Sequence, residues 1–226
     1  MSRIIVFGAG GRGGRAAVAE AVGRGHQVTA VVRDAARHAD LTDLTDLAEV
    51  VKVVKVVEGD VTDAATIARL ARGHTAAISS VYDPAAAPDL FYPAASRALL
   101  DGLARADVRR LVSVGLASNL ETASGALLLD TPGYPQEHRG FLLGHAAGTD
   151  VLRAAPADAC DWVVLSPSGD FDHTGGRTGA YRTAPGDAAS RISYADFAIA
   201  LIDESDESDE IDRPRHHRTH IGVETA

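Results

Sequence analysis

The sequence contains a single cysteine, Cys160, and only two lysines, Lys52 and Lys55. One cysteine cannot form a disulfide within the chain, and its place beside an apolar run typical of a strand predicts a buried, unreactive thiol. No apolar run approaches the ~18 to 20 residues that a membrane-spanning helix needs. The chain enters its first apolar run, residues 4–7, without a basic leader, so we expect a cytoplasmic protein with no membrane partner.

Basic residues are outnumbered as well. Lysine and arginine total 22 against 31 aspartate and glutamate residues, which gives a formal net charge of −9. Nucleic-acid binding relies on a cationic surface that releases counterions, so we expect no nucleic-acid partner. The 226 residues are 46% hydrophobic, a size and composition that predict one folded domain over residues 1–226. We expect a small-molecule substrate and a monomer or homodimer.

What the sequence does contain is an alternation of short β-branched runs with longer alanine-rich segments. The predicted strands are Arg3 to Phe7, Gln27 to Val32, Val50 to Glu58, Ala76 to Val81, Val108 to Val114 and Asp161 to Leu165. The predicted helices are Gly13 to Gly23, Ala64 to Arg72, Asp89 to Arg105, Gln136 to Ala154 and Tyr194 to Glu204. Strands this apolar are buried on both faces, which predicts an α/β fold with a Rossmann-like, doubly wound parallel sheet and helices on both faces.

Two stretches interrupt this alternation, residues 116–135 and 166–190, and their composition predicts loops. Loops after the later strands of a doubly wound sheet lie beside the ligand crevice, so we expect a small C-terminal substrate-loop region. Residues 203–210 form an acidic repeat, for which we expect a solvated helix end and loop. The three histidines within residues 214–220 are flanked by arginines, so no metal site is expected there.

A glycine-rich loop follows the first strand and opens the first helix, with the sequence Gly8-Ala9-Gly10-Gly11-Arg12-Gly13-Gly14. Glycines let the backbone turn sharply and approach a pyrophosphate, and the N–H groups at the start of the helix then face the anion. Strand, loop, helix and second strand follow in the order of a dinucleotide-binding unit. The segment therefore predicts a dinucleotide held by Gly8, Gly11, Gly13 and Gly14.

The end of the second strand indicates which dinucleotide is preferred. An acidic residue there favours NAD by binding the ribose 2′-hydroxyl, whereas this strand ends in Val32-Arg33 and is followed by Arg37. Two guanidinium groups suit a 2′-phosphate, and Arg12 in the glycine loop offers a third. We therefore expect NADP(H) to be preferred, with NAD(H) still usable because Asp34 can reach a ribose hydroxyl.

Motifs along nearly the whole chain resemble those of atypical short-chain dehydrogenases/reductases, in the group of NmrA-like proteins and NADH-flavin reductases. These motifs are Gly8-x-x-Gly11-Arg12-x-Gly14, Val31-Val32-Arg33-Asp34, Glu58-Gly59-Asp60-Val61, Val108-Arg109-Arg110-Leu111-Val112, Asp130-Thr131-Pro132, Arg177-Thr178-Gly179-x-Tyr181-Arg182 and Ser190-Arg191-Ile192-Ser193-Tyr194-x-Asp196. More distantly, the chain is similar to biliverdin-IXβ reductase, whose two 2′-phosphate arginines match Arg33 and Arg37. The resemblance implies that Asp60 and Val61 contact adenine, and that Ser79 and Ser80 lie along the ribose.

The chain departs from the wider superfamily in its proton-donating residues. Ordinary members use a Tyr-x-x-x-Lys pair, in which the lysine lowers the pKa of the tyrosine. Here the residues four positions after the five tyrosines are Ala86, Ser96, His138, Pro185 and Ala198. Other polar residues at the expected active edge are candidates instead. The catalytic candidates are His145, for which we expect a pKa near neutrality, and Ser118; the pocket candidates are Asn119, Tyr134, His138 and Ser168.

Three functions are compatible with these residues. The first is an NADP(H)-dependent oxidoreductase that passes hydride to a flavin, a quinone or another conjugated small molecule, which water or a weak acid then protonates. The second is an NmrA-like protein that senses NADP(H) without turnover. The third is a non-redox isomerase or cyclase of a biosynthetic pathway on the same fold.

Overall fold

Parallel strands joined by helices form the framework of the structure, a computed structural model that describes residues 1–45, 54–206 and 216–226. The strands are β1 (Arg3–Phe7), β2 (Gln27–Val32), β3 (Val54–Glu58), β4 (Ala76–Ser79), β5 (Arg110–Val114), β6 (Asp161–Pro167), β7 (Asp170–Asp172), β8 (Tyr181–Ala184), β9 (Arg191–Ser193) and β10 (Thr219–Thr225). The α-helices are α1 (Arg12–Gly23), α2 (Ala64–Ala71), α3 (Pro88–Ala106), α4 (Arg139–Ala154) and α5 (Tyr194–Ser205). Short 3₁₀ helices run over Ala35–Thr45, Ala117–Asn119 and Leu128–Asp130.

Eight of these strands form one sheet in the order β3-β2-β1-β4-β5-β6-β10-β8. The first seven in that order are parallel, and β8 runs antiparallel to β10 at the edge. Helices α1 and α5 pack together on one face of the sheet, and α2, α3 and α4 lie side by side on the other. This arrangement confirms the predicted doubly wound α/β fold.

The central strands are buried on both faces, as their apolar runs predict. In β1, Ile4 and Val6 belong to the core formed with α1 and α5. Ile5 and Phe7 belong to the opposite core, formed with α2, α3 and α4. Because successive side chains of a strand point to opposite faces, a continuous apolar run supplies two cores at once.

Four strands lie where none was predicted, and two of them, β7 and β8, fall in the segment 166–190 that was expected to be loop. That part of the prediction was wrong because short edge strands need few buried side chains; in β8, only Tyr181 is buried. The predicted third strand began at Val50, and residues 50–53 lie outside the described part of the chain. Helix α4 begins at Arg139 rather than at Gln136.

The acidic repeat is not a solvated helix end over the part that the structure describes. Glu204 is buried, and its carboxylate accepts a hydrogen bond from the guanidinium of Arg110 at 2.6 Å (Oε2–NH2) and contacts His216 Nδ1 at 2.7 Å. Asp203 pairs with Arg24 at 2.6 Å, and Asp206 accepts from Ser2 Oγ at 2.7 Å. These carboxylates therefore fasten the end of α5 to the sheet, a role that composition alone does not reveal.

The buried pair between Arg110 and Glu204 generates a stability prediction, since both side chains are less than a tenth exposed. Arg110 also pairs with Asp161 at 2.9 Å, but that carboxylate is partly exposed. Glu204→Ala removes the buried one of the two carboxylates, and we expect the free energy of unfolding to fall by about 3 kcal/mol. Asp101→Asn breaks an exposed pair with Arg105 on α3 and is the matched control, with an expected loss below about 1 kcal/mol. Urea denaturation of both variants gives the comparison; equal losses would contradict the structural role of Glu204.

Candidate functional site

The glycine loop lies at the carboxyl edge of the sheet, between the ends of β1, β2 and β4. Gly8 has a φ of +78°, and its N–H donates to the carbonyl of Val31 at 3.1 Å. A Cβ on Gly8 would come within 2.2 Å of the carbonyl oxygen of Ser80, and one on Gly14 within 2.3 Å of the carbonyl oxygen of Gly8. The protein's own packing therefore requires glycine at these two positions.

Gly11 differs from these glycines because it faces open space. It is the N-cap of α1 with a φ of −77°, so a positive φ is not what requires glycine here. A Cβ on Gly11 would meet only the carbonyl oxygen of Gly8, at 3.6 Å. No side chain caps this helix end, and the first N–H groups of a helix have no intrahelical acceptor. The start of α1 thus has the geometry to receive an anion such as a pyrophosphate.

The serines after β4 lie directly against this loop. Ser80 donates its N–H to the carbonyl of Phe7 at 2.9 Å, and a Cβ on Gly13 would come within 2.9 Å of Ser80 Oγ. Ser79 is buried at the end of β4. The end of β4, which carries both serines, therefore lies against the glycine loop; their contact with a ribose stays a prediction.

The two arginines predicted to bind a 2′-phosphate both extend from the end of β2. The Arg33 side chain is 68% exposed, and its NH1 pairs with Asp83 Oδ2 at 2.7 Å. The Arg37 side chain is 82% exposed, and its Nε lies 3.2 Å from Asp34 Oδ2. The other carboxylate oxygen of Asp34 accepts the N–H of Ala36 at 3.1 Å. Both guanidinium groups thus keep free donors, while Asp34 is engaged in its own turn.

Arg12 and Arg15 point in different directions from the start of α1. Arg12 reaches His173, in the turn after β7, with 2.8 Å between NH1 and Nδ1. Arg15 donates to the carbonyl of Gly10 at 3.1 Å and pairs with Asp40. Sequence reasoning missed Arg15, although its place one residue after the glycine loop was a usable signal. Its hydrogen bond to the Gly10 carbonyl stabilises the loop, and its pairing with Asp40 joins the loop to the 3₁₀ helix of residues 35–45.

Asp60 and Val61 follow β3 at the same edge of the sheet. The Asp60 carboxylate accepts the N–H and the hydroxyl of Thr62 at 2.8 and 2.7 Å. This turn fixes the backbone at the predicted adenine contact, and the Asp60 carboxylate is occupied by its hydrogen bonds with Thr62.

The catalytic candidate Ser118 lies close to the pocket candidates Asn119 and Tyr134. Ser118 is buried, and its hydroxyl donates to Asn119 Oδ1 at 3.4 Å. Burial raises the pKa of Tyr134, and the Ser118 contact offsets part of that rise. Asn119 donates to the carbonyl of Leu142 on α4 at 3.4 Å. Ser118, Asn119 and Tyr134 therefore form a polar wall within the loop of residues 116–135.

His145 does not have the near-neutral pKa expected from its sequence position. Burial lowers the pKa of His145 to about 4, so the ring is neutral at physiological pH. Its Nδ1 is buried and has no hydrogen-bond partner among the residues that the structure describes, and the ring centroid is 4.2 Å from that of Tyr92. With Ser79 and Ser113 it lines a cavity of about 20 Å³ between α3 and the sheet. The prediction of a near-neutral pKa for His145 is therefore wrong.

Ser168 and His138 are placed differently from the other pocket candidates. Ser168 is fully buried, and its hydroxyl donates to the carbonyl of Ala184 in β8 at 3.1 Å, so it stabilises the sheet instead of lining a pocket. Its assignment to the pocket was wrong because the neighbouring strands β8 and β10 were not predicted. His138 is exposed, one residue before α4.

His220 is a residue of this edge that sequence reasoning missed. Its Nε2 is 2.7 Å from Ser166 Oγ, and its pKa is lowered to about 3, chiefly by burial and further by the positive charge of Arg153. Only the pairing of β10 with β6 brings the two residues together.

Within the described residues, no group of three or more histidine, cysteine, aspartate or glutamate side chains could hold a metal ion. Cys160 is a free, buried thiol whose pKa burial raises to about 11.

The motif around Thr178 and Asp196 fastens the second loop to the domain. The Asp196 carboxylate accepts the N–H groups of Thr178 and Gly179 at 2.9 and 3.0 Å. Arg177 makes a bidentate pair with Glu20 on α1, with both distances at 3.0 Å. These contacts join the loop that contains the motif to α5 and to α1.

Comparison with known proteins agrees with this geometry. The family described as NAD(P)H-binding matches residues 8–205. An uncharacterized protein of Bacillus subtilis (strain 168), YwnB, is 32% identical, with 95% of this chain and 94% of that protein covered. No helix in the described ranges is long and apolar enough to cross a membrane.

Two solved structures share the whole fold. A protein from Burkholderia pseudomallei, assigned as exported, is 33% identical with a TM-score of 0.77, covering 99% of this chain and all of that one. A protein from Streptococcus pneumoniae TIGR4, assigned as an NADH-flavin reductase, is 27% identical with a TM-score of 0.76, covering both chains completely. The likeness to a structure assigned as an NADH-flavin reductase agrees with the predicted resemblance to that group, and the chain belongs to the NAD(P)H-binding family.

Proposed function

We propose that this protein is an NADP(H)-dependent oxidoreductase that transfers hydride to a flat, conjugated small molecule such as a flavin or quinone. The observation that carries the proposal is the open start of α1 at Gly11, with the exposed guanidinium groups of Arg33 and Arg37 at the end of the neighbouring strand. The first feature suits a pyrophosphate and the second a 2′-phosphate. The similarity to a structure assigned as an NADH-flavin reductase supports the choice of acceptor.

The chain's own residues position the reactants. The N–H groups at the start of α1 bind the pyrophosphate, and Ser79 and Ser80 orient the ribose at the end of β4. The bound nicotinamide supplies the hydride. The wall formed by Ser118, Asn119 and Tyr134 then holds the acceptor against the carboxyl edge, where correct placement contributes most of the rate.

The candidate residues are poorly suited to donate a proton. The raised pKa of Tyr134 keeps its hydroxyl protonated, and no lysine follows it at the spacing that would activate it. His145 and His220 are neutral near pH 7 because burial lowers the pKa of both. An acceptor that water can protonate after hydride transfer therefore fits this site best.

One experiment separates the three functions that the sequence left open. Purified protein is mixed with NADPH and a flavin, and absorbance at the cofactor's band is followed. Steady NADPH oxidation supports the oxidoreductase. Tight NADPH binding without turnover would indicate a sensor, and product formation without cofactor consumption would indicate an isomerase or cyclase.

We expect Arg33→Ala to weaken NADP⁺ binding and leave NAD⁺ binding nearly unchanged. Losing one charge-assisted phosphate contact costs about 1.5 to 3 kcal/mol, roughly tenfold to a hundredfold in affinity. Calorimetric titration with both nucleotides measures the effect, and Arg105→Ala on the exposed side of α3 is the control. Equal affinity of the wild type for both nucleotides, unaltered in Arg33→Ala, would rule out the assigned phosphate site.

We expect Gly11→Val to abolish nucleotide binding while the protein stays folded. The new side chain enters open space in the protein but blocks the approach of a pyrophosphate to α1. Gly14→Val is the contrasting variant, since its Cβ would collide with the carbonyl oxygen of Gly8 and should lower the melting temperature. Circular dichroism and nucleotide titration decide the matter: a folded Gly11→Val protein that still binds NADP⁺ would place the nucleotide elsewhere.

We expect no tyrosine to be essential for hydride transfer. Tyr134→Phe, Tyr181→Phe and Tyr194→Phe should each keep most activity toward a flavin, and His145→Ala should lose less than about a hundredfold. General acid catalysis by one side chain contributes about 10² to 10⁴-fold, so an essential acid would be obvious in single-turnover rates at saturating NADPH. A thousandfold loss in any tyrosine variant with normal cofactor affinity would show a dedicated acid.

A further inference from the structure

The ion pair between Arg33 and Asp83 joins two strand ends that flank β1. Arg33 follows β2, whereas Asp83 lies four residues after the end of β4. The Asp83 carboxylate is held in place because its Oδ1 accepts the N–H of Ala85 at 3.0 Å. Its Oδ2 accepts from Arg33 NH1 at 2.7 Å. The Asp83 side chain is 21% exposed and the Arg33 side chain 68%. Asp83 is therefore the more firmly held partner of the pair.

Two other aspartates near the glycine loop pair with arginines, but their pairs differ from that of Asp83 with Arg33. Asp34 pairs with Arg37 three residues away, and both side chains are well exposed, which makes the contact local and screened by solvent. Asp40 pairs with Arg15 beneath the loop. Asp83 alone among these three carboxylates comes from a different strand end and holds an arginine assigned to the 2′-phosphate.

We propose that Asp83 is a specificity-determining residue that competes with the 2′-phosphate of NADP(H) for Arg33, and thereby keeps NAD(H) usable. This inference rests on the proposed function. A 2′-phosphate must draw Arg33 away from a carboxylate that is already in place, and the two anions repel each other across the same guanidinium. NAD(H) has no such phosphate, so it leaves the ion pair intact.

The test is a double-mutant cycle on nucleotide affinity. Wild type, Asp83→Asn, Arg33→Ala and the double variant are titrated with NADP⁺ and with NAD⁺ by calorimetry, after thermal denaturation has shown that each is folded. Asp83→Asn should tighten NADP⁺ binding about threefold to tenfold, the range expected for releasing a partly exposed pair next to a dianion. NAD⁺ affinity should change less than twofold. In the Arg33→Ala background, Asp83→Asn should change NADP⁺ affinity less than twofold.

Asp101→Asn on α3 controls for the general loss of one negative charge and should leave both affinities unchanged. Weaker NADP⁺ binding by Asp83→Asn would overturn the inference, because it would mean that Asp83 orients Arg33 for the phosphate. An equal gain for both nucleotides, or a gain that persists without Arg33, would overturn it as well. If the wild type binds neither nucleotide, the proposed function falls first and the inference with it. Normal NADP⁺ preference with an unaffected Asp83→Asn variant would remove only the inference.

Discussion

The close approach of the glycine loop to the end of β4 is the constraint on which the site depends. A single added carbon at Gly8 would collide with the backbone of Ser80, and one at Gly14 would collide with Gly8 itself. These contacts leave no room for side chains at the two glycines. Helix α1 therefore begins directly after the turn, and its N-cap residue Gly11 has no side chain to accept hydrogen bonds from the first N–H groups of the helix. The same contacts bring the end of β4, with Ser79 and Ser80, beside the loop, so one packing arrangement determines both of the proposed contact regions for the pyrophosphate and the ribose.

Most of the arginines around the glycine loop are paired with carboxylates. Arg33, Arg37 and Arg15 each pair with a carboxylate, and Arg12 reaches His173. If a phosphate binds here by exchange of partners, as we propose for Arg33, the nucleotide preference depends on the acids as much as on the arginines. Farther along the edge, the buried histidines are neutral and Tyr134 holds its proton. These protonation states support the proposed choice of acceptors that need little help from an acid.

The central sheet and the cofactor loop were predictable from sequence because their signals are local: the apolar run of β1 and the glycines after it lie within fourteen residues. The failures involve contacts between distant segments. Glu204 looks solvated until Arg110 is placed against it, and the partners of Ser168 and His220 appear only when β10 pairs with β6 and β8. The pKa expected for His145 was wrong because burial between α3, α4 and the sheet, not residue type, determines it.

The most direct test of the central claim is a crystal structure of the protein with NADP⁺ bound. The account predicts pyrophosphate density at the start of α1 beside Gly11, a 2′-phosphate within hydrogen-bonding distance of Arg33 or Arg37, and a nicotinamide ring facing the wall of Ser118, Asn119 and Tyr134. A nucleotide bound at another surface, or one whose 2′-phosphate points into solvent away from both arginines, would contradict it.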